Sequence, residues 1–393
     1  MSQRVVLAYS GGLDTSVCVK WLAERGHEVI AFMADVGQGE PSAAAVRRAN
    51  IAGAARVIVR DLRREFVTDY CWPALHAHAV YEGGYLLATA LSRPLIAKHL
   101  VDVAHQTRAA AVAHGCTGKG NDQVRFEVTA RILDKHLAII APVREWEFRS
   151  REDEIEYARD HGIPIDVTTR SPYSIDQNLW GTSIEAGVLE DPWTAPPADT
   201  YRSILAPERA AARPATVTIG FARGVPIALN GATLGPVALV ERLHRLGAAH
   251  GIGRSDMIES RVVGIKSREI YEAPAAAILL AAHLELERLV LDRQLFSFKQ
   301  GVAQAYAELI YAGLWFTPLK RALDAFIRFT QQRVSGEVRV KLFKGHCQIV
   351  GRRSPHGLYK ERLATYSAKD AFDQRASAGF IKLFGLPYEG SGA

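Results

Sequence analysis

Arg4-Val5-Val6-Leu7-Ala8-Tyr9-Ser10-Gly11-Gly12-Leu13-Asp14-Thr15-Ser16 decides the reading of this chain. The apolar run after Arg4 reads as a buried strand and Ser10 to Asp14 as a tight glycine turn. Thr15 to Arg25 then carries Val17, Trp21 and Leu22 at helical spacing until Gly26 ends it. A strand, a phosphate-sized loop and a helix start follow one another. Adjacent glycines let backbone N–H groups approach an anion, and the helix adds its unpaired N–H groups and the positive end of its dipole. Ser10, Thr15 and Ser16 supply hydroxyls, and Asp14 is placed to orient the loop or hold Mg²⁺ against phosphate oxygens. The lysine of a Walker loop and the third glycine of a dinucleotide fingerprint are both missing.

Further along, His27–Ala34 and Arg56–Asp61 read as strands, with a helix from about Ser42 between them. Tyr85–Gln106 reads as a long helix interrupted near Arg93-Pro94, since proline breaks or kinks a helix. Short strands at Ala109–Ala113 and Leu137–Pro142 and a capping-box helix from Ser150 complete an α/β unit with a doubly wound, mostly parallel sheet. In such sheets ligands sit beyond the carboxyl ends of the strands, so the loops at Ser10, Asp35 and Gly115 are expected to face one crevice. The loop His114–Glu127 packs Gly115, Gly118 and Gly120 among Thr117, Lys119, Asn121, Asp122 and Arg125, a second ligand loop entering a second helix.

From Asp166 to about Pro214 the chain reads as a long irregular stretch, which in a compact enzyme is more often functional than idle. Strands with tight turns at Gly224 and Asn230-Gly231, helices at Pro236–Ala249, Ala275–Leu291 and Leu319–Val334, and a closing hairpin at Val338–Gly351 give an α+β second domain. Phe372, Ala376, Phe380 and Phe384, four apart, make one apolar stripe in a C-terminal helical tail that packs on its own subunit or crosses to a neighbour. The expected division is 1–165 for the glycine-loop unit, 166–366 for the second α+β unit and 367–393 for the arm.

The 393 residues, 48% of them hydrophobic and 23% charged, suit a globular protein with sizeable cores. The net charge of +6 is scattered, which argues against a nucleic-acid surface. Cys18, Cys71, Cys116 and Cys347 lie far apart, so neither a disulfide framework nor a resident metal site is indicated. With no long apolar run, the reading is cytoplasmic and without a membrane partner.

The S-G-G-x-D-[ST]-S loop resembles that of the N-type ATP pyrophosphatases, which split ATP between its α and β phosphates. The strings Ala8–Ser16, Asp35–Glu40, Ser92–Leu100, His114–Glu127 and Gly187–Trp193, in order over nearly the whole chain, resemble the argininosuccinate synthase family. That resemblance implies condensation of citrulline with aspartate through a citrullyl adenylate, releasing pyrophosphate and then AMP, with ATP and Mg²⁺ required. It places Ala8, Tyr9, Ser10, Gly11, Gly12, Leu13, Asp14, Thr15, Ser16, Ala34 and Gly115 around ATP. Thr117, Asn121 and Asp122 fall to aspartate; Tyr85, Asn121, Arg125, Ser174, Ser183, Glu259 and Tyr271 fall to citrulline. Ser10, Asp14 and Asp122 carry the catalytic roles, and a homotetramer is implied.

Two departures stand out. Ala88-Thr89-Ala90 replaces a Gly-Thr-Ser string, so the side chain of Ala90 cannot donate a hydrogen bond and Thr89 or Ser92 takes over. Ala273-Pro274-Ala275-Ala276 replaces Thr-Pro-Gly-Gly beside Tyr271. Either change also suits a paralogous AMP-forming ligase acting on a different ureido or amide acid. A tRNA-modifying pyrophosphate-loop enzyme, with Cys116 as its reactive thiol, and a module that binds ATP without turnover are the remaining alternatives.

Overall fold

The computed structural model describes residues 3–39, 43–164 and 173–391. Glu40, the expected helix start at Ser42 and the expected domain boundary at 165/166 lie outside the described residues. Strands β1 (Arg4–Ala8), β2 (Glu28–Asp35), β3 (Arg56–Asp61), β4 (Ala111–His114) and β5 (Ala138–Ile140) form one parallel sheet in the order β3-β2-β1-β4-β5. Because strand side chains alternate, Val5 and Leu7 enter the core with helices Leu13–Glu24 and Arg151–Asp160, while Val6 enters the core with helix Ala88–Thr107. Both faces are covered, which explains the unbroken apolar strands. The order reverses between β1 and β4, and the loops at Ser10 and Gly115 leave the sheet at that switch point.

The long helix differs from expectation. It begins at Ala88, because Tyr85 closes a bridge with Tyr81 and Leu87 takes a left-handed turn at φ 63°. It then runs unbroken through Pro94 to Thr107. Proline in a helix interior costs about 3 kcal/mol. Ala90, Leu91 and Leu95, all wholly buried around it, hold the helix against the core and outweigh that cost.

The second half builds two antiparallel sheets. Its strands are β6 (Ser174–Gln177), β7 (Thr182–Glu185), β8 (Ala215–Ala222), β9 (Val225–Leu229), β10 (Ala232–Thr233), β11 (Arg254–Ser260), β12 (Lys266–Glu272), β13 (Gly336–Phe343) and β14 (His346–Arg353). One sheet has the order β10-β9-β8-β13-β14, the other β11-β12-β7-β6. The stretch expected to be irregular therefore holds β6 and β7. Their connection, Asn178 to Gly181, is tied by its own side chain: Asn178 Oδ1 accepts from the N–H groups of Trp180 and Gly181 at 2.9 and 3.2 Å. It also docks on the parallel-sheet unit. Asn178 Nδ2 donates to Ala88 O at 2.8 Å, Trp180 Nε1 to Leu86 O at 3.0 Å, and Leu179 N–H to Val36 O at 2.9 Å. Gly37, at φ 94°, makes this possible, since a Cβ there would lie 2.3 Å from Leu179 Cγ.

A helix at Arg293–Tyr311, absent from the sequence reading, starts at the Asp292 cap and turns Val302, Tyr306 and Ile310 inward. The C-terminal helix is shorter than expected, Ala376–Gly385, and leaves Phe372 outside. None of its side chains is buried; Phe380, Ile381, Leu383 and Phe384 are each 60–69% exposed. Of the two alternatives for this tail, packing on its own subunit is not seen: no apolar surface of the described chain covers it.

Candidate active site

The first site is the end of β1. The helix that begins at Leu13 carries no side-chain cap at Gly12, so its first N–H groups face the switch-point crevice. The hydroxyls tie the loop into one shape. Ser10 Oγ and Thr15 Oγ1 are 3.1 Å apart, Gly12 N–H donates to Ser10 Oγ at 3.3 Å, and Ser16 Oγ donates to Gly12 O at 2.7 Å. Tyr9 Oη lies 3.0 Å from Ser16 Oγ, and Arg48 donates to Gly11 O. Gly11 sits at φ 86°, and a Cβ at this position would lie 2.8 Å from the Cβ of Ala45, so neither backbone angle nor space admits a side chain. Ala34, at the end of β2, is nearly buried, and its carbonyl accepts from Gln38 Nε2 at 2.5 Å. Gly115, at the end of β4, touches the loop directly: a Cβ there would lie 3.1 Å from Thr15 Cγ2.

Gly11→Ala is expected to leave the fold standing and to lower ATP-dependent pyrophosphate release at least about 100-fold. The left-handed angle costs roughly 1–2 kcal/mol, which the loop relieves by shifting, and a shift of about 1 Å in a positioning loop costs on the order of 100-fold in rate. Steady-state pyrophosphate release beside a thermal melt checks it.

Asp14 is exposed at the mouth of this loop. Facing it is Glu154, which the sequence reading did not single out. Burial first, and then the Asp14 carboxylate, push the Glu154 carboxyl up to about 8, and its Oε2 is buried without a hydrogen-bond partner among the described residues. A carboxyl raised above its unfolded value adds stability that is complete below the unfolded value and is lost as pH rises through the folded one. Glu154→Gln, neutral throughout, should therefore melt near the parent protein at about pH 4.5 and higher than the parent at about pH 9, in ligand-free protein.

The second site is a face of the β11-β12-β7-β6 sheet laid against helix Ala88–Thr107. Tyr271 stands opposite Ser183, Ser183 opposite Asp176, Ser174 opposite Glu185, and Glu259 opposite Ser267. Opposed residues share a face, so Glu259, Tyr271, Ser183, Ser174 and Asp176 all project to one side. Ile184 and Ile270 point the other way into a small core. The near side meets the helix: Thr89 Oγ1 lies 2.8 Å from Ser183 Oγ, and Arg93 donates to Asp176 at 2.6 Å. Tyr85 stacks on Tyr271 with ring centres 4.1 Å apart.

Charge is concentrated where the loop after β4 enters helix Asn121–Leu133. Asp122 is gripped on both sides, Oδ1 by Arg125 at 2.8 Å and Oδ2 by Arg93 at 2.7 Å. Burial opposes its ionisation, but the guanidiniums of Arg93 and then Arg125 outweigh burial and hold its carboxyl below the usual carboxylate range. Arg125 is 3% exposed, donates through Nε to Tyr311 O at 2.8 Å, and keeps Nη2 buried with no partner among the described residues. A buried guanidinium nitrogen without an acceptor calls for an anion. Asn121 bonds Tyr311 Oη through Nδ2 and accepts the Val262 N–H through Oδ1, both at 2.8 Å. Thr117 is exposed at the start of this loop.

A family model described as the arginosuccinate synthase N-terminal HUP domain matches residues 4–164, and one for the arginosuccinate synthase C-terminal domain matches residues 173–390. Proteins named argininosuccinate synthase from Chlorobium phaeobacteroides and Bacillus thuringiensis are each 54% identical over 385 residues, 98% of this chain and 96% of theirs. The chain belongs to the argininosuccinate synthase family. A relative from Chlorobaculum tepidum is 54% identical over 386 residues. A solved 4-thiouridine synthetase in complex with RNA and ATP, 18% identical, covers 41% of this chain and 41% of its own at a TM-score of 0.31, too small a likeness to define a shared fold.

Within this argininosuccinate synthase family member, the structure answers the Ala90 departure locally. Ala90 N–H donates to Tyr85 Oη at 3.1 Å, and Ser92 is wholly buried with its hydroxyl on Thr89 O. Thr89 is the hydroxyl that reaches the sheet face. Arg93, Asp176, Tyr311 and Glu154 join no site in the sequence reading, although all four contact residues that do. Cys18, remote from Cys116 in sequence, comes beside the same loop. Burial pushes both thiols well up, leaving them protonated at neutral pH and poor nucleophiles. Among the described residues no helix is long and apolar enough to cross a membrane.

Proposed function

We propose that this chain ligates citrulline and aspartate at the expense of ATP, and that Arg125 Nη2, buried and without a partner among the described residues, is the observation that best supports it. The glycine loop at Ser10–Ser16 holds the β and γ phosphates of ATP through backbone N–H groups and hydroxyls, with Ala34 and Gly115 toward the nucleoside. The ureido oxygen of citrulline attacks the α-phosphorus; the bond to the β-phosphate oxygen breaks and pyrophosphate leaves. The aspartate amine then attacks the ureido carbon, the carbon–oxygen bond breaks, and AMP departs with that oxygen. Holding three charged reactants in register supplies much of the rate, and the cationic groups stabilise the charge that develops.

The residue roles in this reading are as follows. Arg125 pairs with the citrulline carboxylate; Tyr85, Ser174, Ser183 and Tyr271 line its side chain, and Glu259 accepts from an N–H group of the substrate. Asn121 serves both substrates, and Thr117 and Asp122 face aspartate, whose ammonium must share the Asp122 oxygens with Arg93 and Arg125. Asp14, with the orphaned Glu154 oxygen beside it, fits Mg²⁺, which typically takes one or two carboxylates plus substrate phosphates. Bound there, the ion neutralises phosphate charge. The unit boundaries at 165/166 and 366/367, cytoplasmic residence and a homotetramer joined through the exposed Phe380–Phe384 arm belong to the same reading.

Citrulline labelled with heavy oxygen in its ureido group tests the chemistry. Label recovered in AMP supports attack on the α-phosphorus; unlabelled AMP, or ADP as the product, refutes it.

A further inference from the structure

Tyr311 ends the helix Arg293–Tyr311 and is 2% exposed. Its hydroxyl donates to Glu259 Oε1 at 2.5 Å and accepts from Asn121 Nδ2 at 2.8 Å. Its carbonyl receives Arg125 Nε at 2.8 Å, and the Arg125 guanidinium carbon lies 4.9 Å from its ring centre. The opposite side of the ring environment is equally fixed: Tyr81 stacks on it with centres 3.6 Å apart and planes 7° off parallel, and Tyr85 meets it edge-on at 6.2 Å. Tyr81 is itself anchored, its hydroxyl donating to Ser260 O at 2.8 Å.

One residue thus touches four of the seven groups assigned to the acceptor, Asn121, Arg125, Glu259 and Tyr85, and comes from an element remote from all of them in sequence. Glu259 illustrates what that does. Its other oxygen accepts from Tyr271 Oη at 2.5 Å, so two phenols aim the carboxylate, and each oxygen keeps a lone pair for a substrate N–H. Without the Tyr311 hydroxyl the carboxylate is free to rotate about one remaining bond, and the Asn121 amide loses one of its two partners, keeping only the Val262 N–H on Oδ1.

We propose that Tyr311 is a positioning residue of the acceptor pocket, holding Glu259, Asn121 and Arg125 in the arrangement that receives the ureido amino acid. The assignment rests on the citrulline reading above. It also has a titration consequence. Burial raises the Glu259 carboxyl, and the hydrogen bonds from Tyr271 and Tyr311 bring it part of the way back. Removing one of those donors raises it further.

Tyr311→Phe keeps the ring stacked on Tyr81 and removes only the hydroxyl. Steady-state pyrophosphate release, at varied citrulline and across pH, is the test. The expected result is a KM for citrulline raised roughly 10- to 100-fold, in the range for a lost hydrogen bond to a charged group. The KM for ATP should stay within about twofold, and the acid limb of kcat/KM for citrulline should move to higher pH. A purely structural residue would shift melting without moving that limb. An active parent enzyme with an unchanged citrulline KM and acid limb in the variant overturns the assignment alone, as does a fall in kcat with both unchanged. A parent enzyme that consumes no ATP with citrulline overturns the reading beneath it and the assignment together.

Discussion

Replacing Arg125 with alanine is expected to lower kcat/KM for citrulline by about 100- to 1,000-fold, equivalent to roughly 3–4 kcal/mol at about 1.4 kcal/mol per tenfold. The guanidinium's three nitrogens have separate duties: Nε on Tyr311 O, Nη1 on Asp122, and Nη2, buried with no partner among the described residues, for a substrate carboxylate. Truncation removes the last of these outright and loosens the other two. The KM for ATP should change little, because the bonds of Arg125 run to Tyr311 and Asp122 rather than to the Ser10–Ser16 loop. Arg125→Lys restores charge without the planar fork and should recover only part of the loss, since a lysine cannot serve three directions at once. Saturation curves in citrulline and ATP for the two variants decide the matter; an alanine variant with near-parental citrulline kinetics would remove Arg125 from the acceptor site.

Asp122→Ala should be the most destabilising single change at the site. Its carboxylate is the shared partner of Arg93 and Arg125, whose side chains are 15% and 4% exposed. Removing one member of a buried pair costs on the order of 3–5 kcal/mol, because the remaining charge is left uncompensated. Arg93 keeps Asp176, which limits the damage on that side. A fall in melting temperature of roughly 5 °C is expected at this chain length, together with weakened saturation by both amino-acid substrates. The sequence alone suggests an effect on aspartate only; the two-sided grip on Asp122 extends the effect to citrulline through Arg125. Asp122→Asn keeps an acceptor for one arginine and should lie between the parent and the alanine variant in melting. If the alanine variant melts like the parent and saturates normally with citrulline, the two arginines do not depend on this carboxylate.

What the sequence discloses and what it hides divide along contact range. The glycine loop Ser10–Ser16 is legible because strand, glycines, hydroxyls and helix start are neighbours in the chain, and local chemistry dictates their shape. The parallel sheet is legible for the same reason, as apolar runs alternate with helical periods. Helix Arg293–Tyr311 is hidden because no glycine or proline separates its start from the preceding helix, although the Asp292 cap, Gly313 at φ 75° just past its end and the four-residue spacing of Val302, Tyr306 and Ile310 are available signals. With it goes Tyr311. Arg93 reads only as the residue before a helix-breaking proline, because its two carboxylate partners lie 29 and 83 residues away. Strands β6 and β7 hide in a Pro- and Ser-rich stretch because they are four residues each and take their stability from pairing, β7 with β12 and β6 with β7. Ser174, Ser183, Glu259 and Tyr271 are suggested by family resemblance, and the strand register puts all four on one face of the sheet.

Citrulline-dependent pyrophosphate release, measured with ATP, Mg²⁺ and aspartate and followed by mass spectrometry of the product, tests citrulline–aspartate ligation most directly. The expected result is release that requires citrulline, with stoichiometric AMP and argininosuccinate. Folded, ATP-binding protein that releases no pyrophosphate with citrulline, or does so with a different ureido or amide acid in its place, would contradict it.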